Sequence, residues 1–459
     1  MERPGYDREG QFAGIVHFGI GAFHRAHQAW YTDLAMELGD RNWAITGVSL
    51  RSAAVAAQLN PQDGLYTLTE RSSAGNHTRL IAAVKTVLVA SDAPHSVVSA
   101  LASPNTHIAS FTVTEKGYCR AVDGSLDLAL AGPGSIYHFL AEGLRQRHDA
   151  GLSGLTLLSC DNLTDNGGQF ARLMREYLDR QDSGLGKWFE AECSCPSTMV
   201  DRIVPATTDA DRMQVAAETG LDDFGAVMTE PFSQWVIEDR FAGPRPAWER
   251  VGAQLVTDVA PYETAKLRML NGAHSALAYL GLERGHTYVH EAVADPTLRA
   301  IIDRLMREEA AASFGAAPQQ NLTVYADELL TRFANPALDH RLIQIAMDGS
   351  QKVPQRWLAT LAGRQAAGAR CPAILSALAA WLRHLRGDNA AKWGPVDDPR
   401  ANELRQLWVK NDSAGVVDAM FGQLGPLGGP WIAAKADRAM ICAELSHFPS
   451  TKAEPDVLA

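Results

Sequence analysis

The sequence predicts an α/β fold in which a doubly wound parallel sheet domain is followed by a mostly α-helical domain. A short apolar run precedes a glycine-rich turn near the N-terminus, and strand-like runs then alternate with helix-like stretches. This alternation is typical of a parallel sheet with helices on both faces. Beyond residue 258 helix-like patterns dominate, so we expect two domains, over residues 1–258 and 259–459.

The first predicted element is a strand that runs into a glycine turn and a helix. Residues 14–18 are largely apolar, and Gly19 and Gly21 follow them directly. Because glycine has no Cβ atom, backbone N–H groups at such a turn can approach the pyrophosphate of a dinucleotide. A two-glycine turn also reverses a chain without binding anything, and His24 departs from the usual G-x-G-x-x-G pattern. In this strand and helix context we predict a Rossmann-type cofactor site that includes Gly19, Gly21, Phe23 and His24.

Four more strand-like runs complete the predicted sheet, at residues 43–50, 84–90, 107–113 and 155–160. Polar side chains follow three of them, namely Arg51 with Ser52, Thr114 with Glu115, and Asp161 with Asn162. Ligands of doubly wound sheets bind beyond the carboxyl ends of the strands. We therefore expect Arg51, Thr114 and Glu115 to lie at the cofactor site.

The end of the second strand bears on the choice between NAD and NADP. An acidic residue there would bind the ribose hydroxyls of NAD, whereas an arginine would accommodate the 2′-phosphate of NADP. The sequence has Arg51 and Ser52 at this place and no acid. Because Arg51 also fits a solvated surface position, these residues leave the cofactor open between NAD and NADP.

The strongest helical pattern lies at residues 261–280 and carries several polar side chains among leucines. At about 100° per residue, Glu263, Lys266, Asn271 and His274 fall within an arc of about 140°. A lysine that snorkels to solvent and a histidine satisfied in the core would explain single members of this set. Four together favour a site, because a lysine among apolar neighbours can act as a general base. Asn271 and His274 can then bind a carbonyl or alkoxide oxygen.

This helix suits hydride transfer at a secondary alcohol, and the sequence predicts no metal. Zinc dehydrogenases need Cys, His and carboxylate ligands around an open position. The nearest pattern, Cys193 and Cys195, has a spacing that matches no usual zinc site. The pairs His24 with His27 and His286 with His290 are more typical of surface or packing positions.

Composition excludes several other classes of protein. The 459 residues include 42 Lys plus Arg against 53 Asp plus Glu, a formal charge of −11, and 46% are hydrophobic. The chain is too apolar for a disordered protein and too acidic for a general binder of nucleic acid or anionic membranes. Six cysteines do not make a disulfide framework, and neither a secretory signal nor a membrane-spanning run is evident. We expect a soluble cytoplasmic monomer or small homo-oligomer whose partner is a small-molecule substrate.

Several motifs together resemble the polyol-specific long-chain dehydrogenase/reductases, a family that includes mannitol 2-dehydrogenases and fructuronate reductases. They are residues 19–28 (GIGAFHRAHQ), 114–118 (TEKGY), 159–163 (SCDNL), 199–205 (MVDRIVP), 266–274 (KLRMLNGAH) and 348–352 (DGSQK). The motifs are spread over nearly the whole chain. The resemblance implies a metal-independent oxidoreductase with an NAD-binding domain and a mostly helical substrate domain.

The resemblance also implies roles for the residues that would carry the reaction. Lys266 matches the family's general acid/base, and Asn162 and Asn271 match its oxyanion-binding asparagines. His274 matches the histidine that orients the substrate. Together they imply an NAD-dependent polyol dehydrogenase of the mannitol 2-dehydrogenase type; their presence disfavours a remote alternative, a non-catalytic dinucleotide-binding sensor.

Substrate contacts carry over in the same way. Asp201 and Lys352 match further substrate-binding positions, and Glu263 matches a glutamate that gates proton exit from the lysine. Mannitol-type members carry an arginine where this chain has Gln344, and residues 344–352 also resemble the uronate-reducing branch. A uronate carboxylate favours an additional Arg or Lys in the pocket, which the sequence alone does not locate. We place mannitol or a related hexitol or pentitol first, with the ketose fructose as product, and fructuronate reduction to D-mannonate second.

Overall fold

The computed structural model describes residues 1–423, 425, 427 and 431–446. The chain forms two compact units, Met1–Ala260 and Pro261–Ala459, whereas the sequence places the boundary after residue 258. Proline and glycine residues predict a loop at 426–430, which lies outside the described residues except for Leu427.

Eleven strands form within the first unit. In chain order, β1 to β11 are Ala13–Phe18, Ala44–Ser49, Tyr66–Ser72, Gly75–Ile81, Val84–Val89, Ile108–Phe111, Thr156–Ser159, Thr198–Asp201, Val227–Thr229, Gln234–Glu238 and Gln254–Val256. Five of them pair in the order β5-β2-β1-β6-β7, and every pair is parallel. These are the five runs that the sequence marks as strands, so the predicted parallel sheet is confirmed.

Helices connect the strands of this sheet. Those of the first unit are Ala22–Ala26, Gln28–Glu37, Ala54–Leu59, Pro94–Ala102, Thr114–Gly117, Ile136–Asp149, Asn166–Gln181, Ser183–Glu192 and Asp209–Thr219, with 3₁₀ turns at Asn60–Gln62 and Trp248–Val251. The hydroxyl of Ser135 accepts a hydrogen bond from His138 N–H and caps the helix that the sequence predicts over 135–147. The strands β1, β6 and β7 are almost fully buried, as expected of a sheet covered on both faces.

Two small sheets in the first unit were not predicted. They have the orders β4-β3-β9 and β11-β10-β8. The strands β8, β9 and β11 have only three or four residues, too few for a period-2 pattern to stand out. The second small sheet places Asp201 at the end of β8, opposite Gln234 of β10.

The second unit is helical, as predicted. Its α-helices are Ala260–Ala265, Gly272–Glu283, Val289–Ala294, Pro296–Arg304, Leu322–Phe333, Leu342–Ala346, Gly349–Val353, Ala359–Ala366, Pro372–Arg386, Ala390–Trp393, Ala401–Lys410, Ser413–Phe421 and Lys435–Ser446. A 3₁₀ turn lies at Ala311–Ser313. Three stretches are π-helical, Lys266–Asn271, Leu305–Ala310 and Pro354–Leu358.

Two helices form the centre of this unit. Every residue of Gly272–Leu282 is buried, and Pro372–Arg386 packs against the same helix with Leu378 and Trp381 fully enclosed. A helix that is apolar on all sides must lie inside a domain. The central helix is therefore held rigidly, and polar side chains at its N-terminal end have fixed positions.

Candidate functional site

The glycine turn lies at the carboxyl end of β1, where the two glycines meet different constraints. Gly19 has φ +89°, and a Cβ atom there would lie 2.1 Å from the carbonyl oxygen of Thr112. At Gly21 the nearest atom to an added Cβ would be 3.8 Å away, so the space around it is open. Gly19 is required by the packing of the turn itself. The free space at Gly21 is what a pyrophosphate needs in order to approach the backbone.

His24 is placed behind the turn, in the interior. Its ring stacks on His17 of β1 with centroids 3.4 Å apart, and His17 hydrogen-bonds Ser110 and Thr112. Burial lowers the pKa of His24 well below its usual value, and that of His17 to about 3. Both rings are therefore neutral at pH 7. In the described part of the chain neither ring nitrogen of His24 has a hydrogen-bond partner, and its predicted cofactor contact stays a prediction.

The helix after the turn is interrupted. It runs over Ala22–Ala26, breaks at His27 with φ −122° and ψ −94°, and resumes at Gln28. Phe23, half-buried, stacks on the His27 ring at 5.1 Å. The usual motif has a third glycine where this chain has His24. We attribute the break to this difference, because a bulky residue at position 24 prevents the close helix-strand packing on which the usual motif relies.

The next predicted contacts follow β6, which pairs with β1, and β7, which pairs with β6. Thr114 has φ +62°, and its N–H and that of Val113 bind the carboxylate of Asp161 at 2.8 and 3.1 Å. Burial raises the pKa of Asp161 to about 6. Asn162 is the next residue and is exposed. The structure thus brings the glycine turn, Thr114 and Asn162 to the carboxyl ends of three adjacent strands.

Three other predicted residues of the first unit have distinct surroundings. Glu115 is largely exposed and pairs with Arg120 at 3.4 Å, as a surface side chain would. Arg51 is exposed after β2. Asp201 is buried, followed by Arg202, whose guanidinium binds backbone carbonyls and the carboxylate of Glu70. Their functional roles stay predictions.

In the second unit the candidate residues lie on one helical stretch that widens in its middle. Between the α-helices Ala260–Ala265 and Gly272–Glu283, residues Lys266–Asn271 form a π-helix. The i→i+5 bonds of a π-helix spread each turn over about one residue more than the 3.6 of an α-helix. Lys266 and Asn271, five residues apart, therefore lie nearer one face than the roughly 140° that continuous α-geometry gives. The expectation of a continuous α-helix was wrong here, and the departure brings the candidate residues closer.

His274 lies in the first turn after the π-helical segment. Its ring is buried, 4.6 Å from the Phe333 ring and 5.3 Å from the His340 ring. Burial, with the positive charges of Arg332 and Arg356 and the neighbouring His340, holds the pKa of His274 well below its usual value. The imidazole is therefore neutral at pH 7. Across the described residues its Nε2 atom has no hydrogen-bond partner, so it can meet a substrate hydroxyl.

The remaining predicted residues of this unit are less exposed than ordinary surface side chains. Glu263, Lys266 and Asn271 are all half-buried. The Lys352 ammonium donates to the carbonyl oxygens of Met347 at 2.6 Å and Ile345 at 3.4 Å. Burial lowers the pKa of Lys352. Of its three N–H donors, one is left for a ligand.

Arg356 is a site residue that the sequence did not single out. It lies on the π-helical segment Pro354–Leu358, and its Nη1 atom donates to Asn271 O at 3.2 Å and Ser275 Oγ at 2.7 Å. The next residue, Trp357, donates to Gly272 O at 3.1 Å. These bonds tie one π-helical segment to the end of another. An arginine four residues after Lys352 is ordinary in a helix, and only the tertiary contact distinguishes it.

The described residues contain no group of three or more His, Cys, Asp or Glu side chains that could hold a metal ion. Within the same ranges, every helix is too short or too polar to cross a membrane.

Two family models match the chain in tandem. The Mannitol dehydrogenase Rossmann domain matches residues 13–250, and the Mannitol dehydrogenase C-terminal domain matches residues 258–421. Together they cover most of the chain, with one match in each structural unit.

Individual relatives agree with this result. A mannitol 2-dehydrogenase of Phaeosphaeria nodorum is 39% identical over 91% of this chain and 77% of its own length. A D-mannonate oxidoreductase of Escherichia coli is 39% identical over 93% of this chain and 91% of its own. The structure of Pseudomonas fluorescens mannitol 2-dehydrogenase in complex with NAD and D-mannitol is 35% identical and superimposes with a TM-score of 0.80, covering 97% of this chain and 93% of that one. The chain therefore belongs to the mannitol dehydrogenase family of oxidoreductases.

Proposed function

We propose that this protein is an NAD-dependent dehydrogenase that interconverts a secondary hydroxyl of a linear polyhydroxylated substrate and the corresponding ketone. The observation that carries the proposal is the π-helical turn Lys266–Asn271. It sets an amine and an amide on nearly one face of a helix, one turn before His274, whose Nε2 atom has no hydrogen-bond partner among the described residues. Such a set can remove a proton, stabilise an oxyanion and orient a neighbouring hydroxyl.

The cofactor is proposed from the fit of the glycine turn. The open space at Gly21 and the backbone N–H groups of the following helix suit a pyrophosphate. NAD, when bound, would accept a hydride from the carbinol carbon. The related Pseudomonas enzyme binds NAD, and we propose NAD here too, although Arg51 leaves NADP as a second arm of the test.

In this mechanism the chain's own residues handle the proton and the oxygen. Neutral Lys266 takes the hydroxyl proton, and Glu263 passes it towards solvent. Asn271 donates to the oxygen as it gains negative charge, which lowers the barrier, and the family resemblance gives Asn162 the same role. His274 orients an adjoining hydroxyl, and the family resemblance gives Asp201 a substrate contact as well. In ketone reduction Lys266 acts as the acid.

Two substrates fit this chemistry. Mannitol with fructose as its ketose is the first, since hydroxyl contacts alone define it and a relative acts as a mannitol 2-dehydrogenase. D-mannonate with fructuronate is the second, because an arginine stands beside Asn271. An equally similar relative is a D-mannonate oxidoreductase.

The proposal is tested by following the absorbance of NADH or NADPH, formed from NAD or NADP respectively, with D-mannitol, D-sorbitol, D-arabinitol and D-mannonate. We expect turnover with NAD and at least one of these four. Binding of NADH without turnover on any substrate would overturn the proposal and favour the dinucleotide-binding sensor.

A further inference from the structure

The guanidinium of Arg356 is a half-buried cation that uses only part of its hydrogen-bonding capacity. Nη1 binds Asn271 O and Ser275 Oγ, while Nη2 and Nε make no hydrogen bond to any residue that the structure describes. An arginine presents five donors in a planar fork that matches a carboxylate. One edge of this fork is therefore left for a ligand.

No acidic side chain of the described residues neutralises this cation. Arg383, also enclosed, does have such a partner, with both carboxylate oxygens of Glu283 at 2.5 and 2.8 Å, whereas Arg147 is satisfied by backbone carbonyls. Burial lowers the pKa of Arg356 to about 10, and no carboxylate opposes the shift. A guanidinium edge that bonds neither a carboxylate nor a backbone carbonyl of the described residues is suited to an anion that arrives from outside.

A second cation lies close enough to reinforce the first. Arg356 contributes to the lowered pKa of Lys352, whereas Asp348 and Asp398 act in the opposite direction. The Asp398 carboxylate is occupied by Ser350 N–H at 2.7 Å and Ser350 Oγ at 2.6 Å. The positive charge of the pair is thus only partly balanced within the unit.

We propose that Arg356 is a specificity-determining residue that binds a carboxylate of the substrate, with Lys352 as its second cation. The substrate class is then a sugar acid, of which D-mannonate and its ketone form are the six-carbon example. This inference rests on the proposed dehydrogenase function and selects between its two substrates. It also reverses the order of substrates that the sequence favours. The sequence places the hexitol first because it does not locate a cation that could bind a carboxylate.

The competing role for Arg356 is structural, because Nη1 also braces the end of the π-helical segment at Asn271. The two roles differ in what a substitution changes. Loss of a brace lowers kcat on acidic and neutral substrates alike, since it displaces the Lys266–His274 face. Loss of a carboxylate contact raises KM for the acid by a larger factor than it raises KM for a neutral hexitol.

The experiment compares Arg356→Met and Arg356→Lys with the unaltered full-length chain, on D-mannonate and D-mannitol with saturating NAD. Arg299→Met serves as the charge-matched control, since Arg299 is an exposed arginine of the same unit. Binding of each compound to the NADH complex is measured in parallel by calorimetry, which does not depend on turnover. If the Met variant fails to fold, Arg356→Lys replaces it in the comparison, because lysine keeps the positive charge and the packing of a long side chain.

We expect kcat/KM for D-mannonate to fall about 10- to 100-fold in Arg356→Met through KM, as loss of a charge-assisted contact predicts. Arg356→Lys should lose less, and Arg299→Met nothing. Equal losses for mannonate and mannitol, or tighter binding of mannitol than mannonate by the unaltered protein, would overturn this inference and leave the dehydrogenase function standing. Absence of turnover with mannonate binding that still depends on Arg356 would overturn only the proposed reaction.

Discussion

The two candidate sites of this chain both lie on helices that depart from α-geometry, and they depart in opposite ways. In the first unit the helix after the glycine turn breaks at His27. In the second unit the helix widens into a π-turn at Lys266–Asn271 without breaking. A break exposes backbone groups, whereas a widened turn changes which side chains share a face.

The polar groups around the two helices differ accordingly. In the first unit His17 and His24 are enclosed, neutral and stacked on each other beneath the turn. In the second unit Lys266 and Asn271 are half-buried and Arg356 has an unused edge. We infer that the first site binds its ligand through backbone N–H groups and the open space at Gly21, while the side chains beneath the turn support it. The second works through side chains.

The largest expected effect comes from removing the amine of the second site. Lys266→Ala should lower kcat by about 10³-fold or more, because a positioned general acid/base contributes about 10²- to 10⁴-fold. The affinity for NADH, measured by fluorescence titration, should remain nearly unchanged. Lys410→Ala, at an exposed helix end, is the control. Near-normal turnover of Lys266→Ala would remove the functional contrast between the units.

The glycine turn offers a matched pair of substitutions in the first unit. Gly19→Ala should lower the free energy of unfolding by about 2 to 5 kcal/mol, since φ is positive and the Cβ would meet the Thr112 carbonyl. Gly21→Ala should change it by less than about 1 kcal/mol yet weaken NADH binding, because its Cβ would enter open space. Urea unfolding and NADH titration separate the two effects. Similar destabilisation by both would contradict the assignment of roles.

Acid should destabilise both units through their buried histidines. The pKa values of His17 and His384 are lowered to about 3 and about 4, and those of His24 and His274 lie well below 6.5. The unfolded chain then binds more protons below about pH 6.5, so stability falls as pH falls. Asp161, with its pKa raised to about 6, acts in the opposite sense. We expect a net loss of about 2 to 3 kcal/mol between about pH 6.5 and 5.5.

Urea unfolding at a series of pH values measures this slope. Replacing His24 with Leu should reduce proton uptake on unfolding by about one proton near pH 5.5. An unchanged slope would mean that the histidine stack of the first unit is not held neutral.

The smallest expected effect concerns Glu115, a predicted cofactor contact that the structure leaves largely exposed. Glu115→Gln breaks the pair with Arg120 and should change the free energy of unfolding by no more than about 0.5 kcal/mol. NADH titration then tests the predicted cofactor role on its own. An unchanged NADH affinity would assign Glu115 to the surface.

The local sequence pattern was sufficient to predict part of the secondary structure of this molecule. Apolar runs identified β1, β2, β5, β6 and β7, because strands covered on both faces carry continuous apolar sequence. Helical periodicity predicts helices over residues 372–385 and 400–411, and the structure has them at Pro372–Arg386 and Ala401–Lys410. The short edge strands β8, β9 and β11 escaped notice, since their pairing depends on partners distant in the chain.

The candidate residues divide in the same way. Gly19, Lys266 and His274 could be singled out from their residue types and spacing. The enclosure of His24 could not, because it depends on stacking against a neighbouring strand. Nor could the role of Arg356, whose partners Asn271 and Ser275 lie 85 and 81 positions away.

By itself the sequence determined the fold class, the family and the chemical types of residue on the candidate helix at 261–280, because these follow from periodicity, glycine placement and motif. Only the tertiary structure decided that the helix widens at Lys266–Asn271 and that an arginine stands beside it with no carboxylate partner in the described part of the chain. A hydrogen-bond register and the desolvation of a charge are set by packing between segments distant in the chain, and no local pattern specifies them.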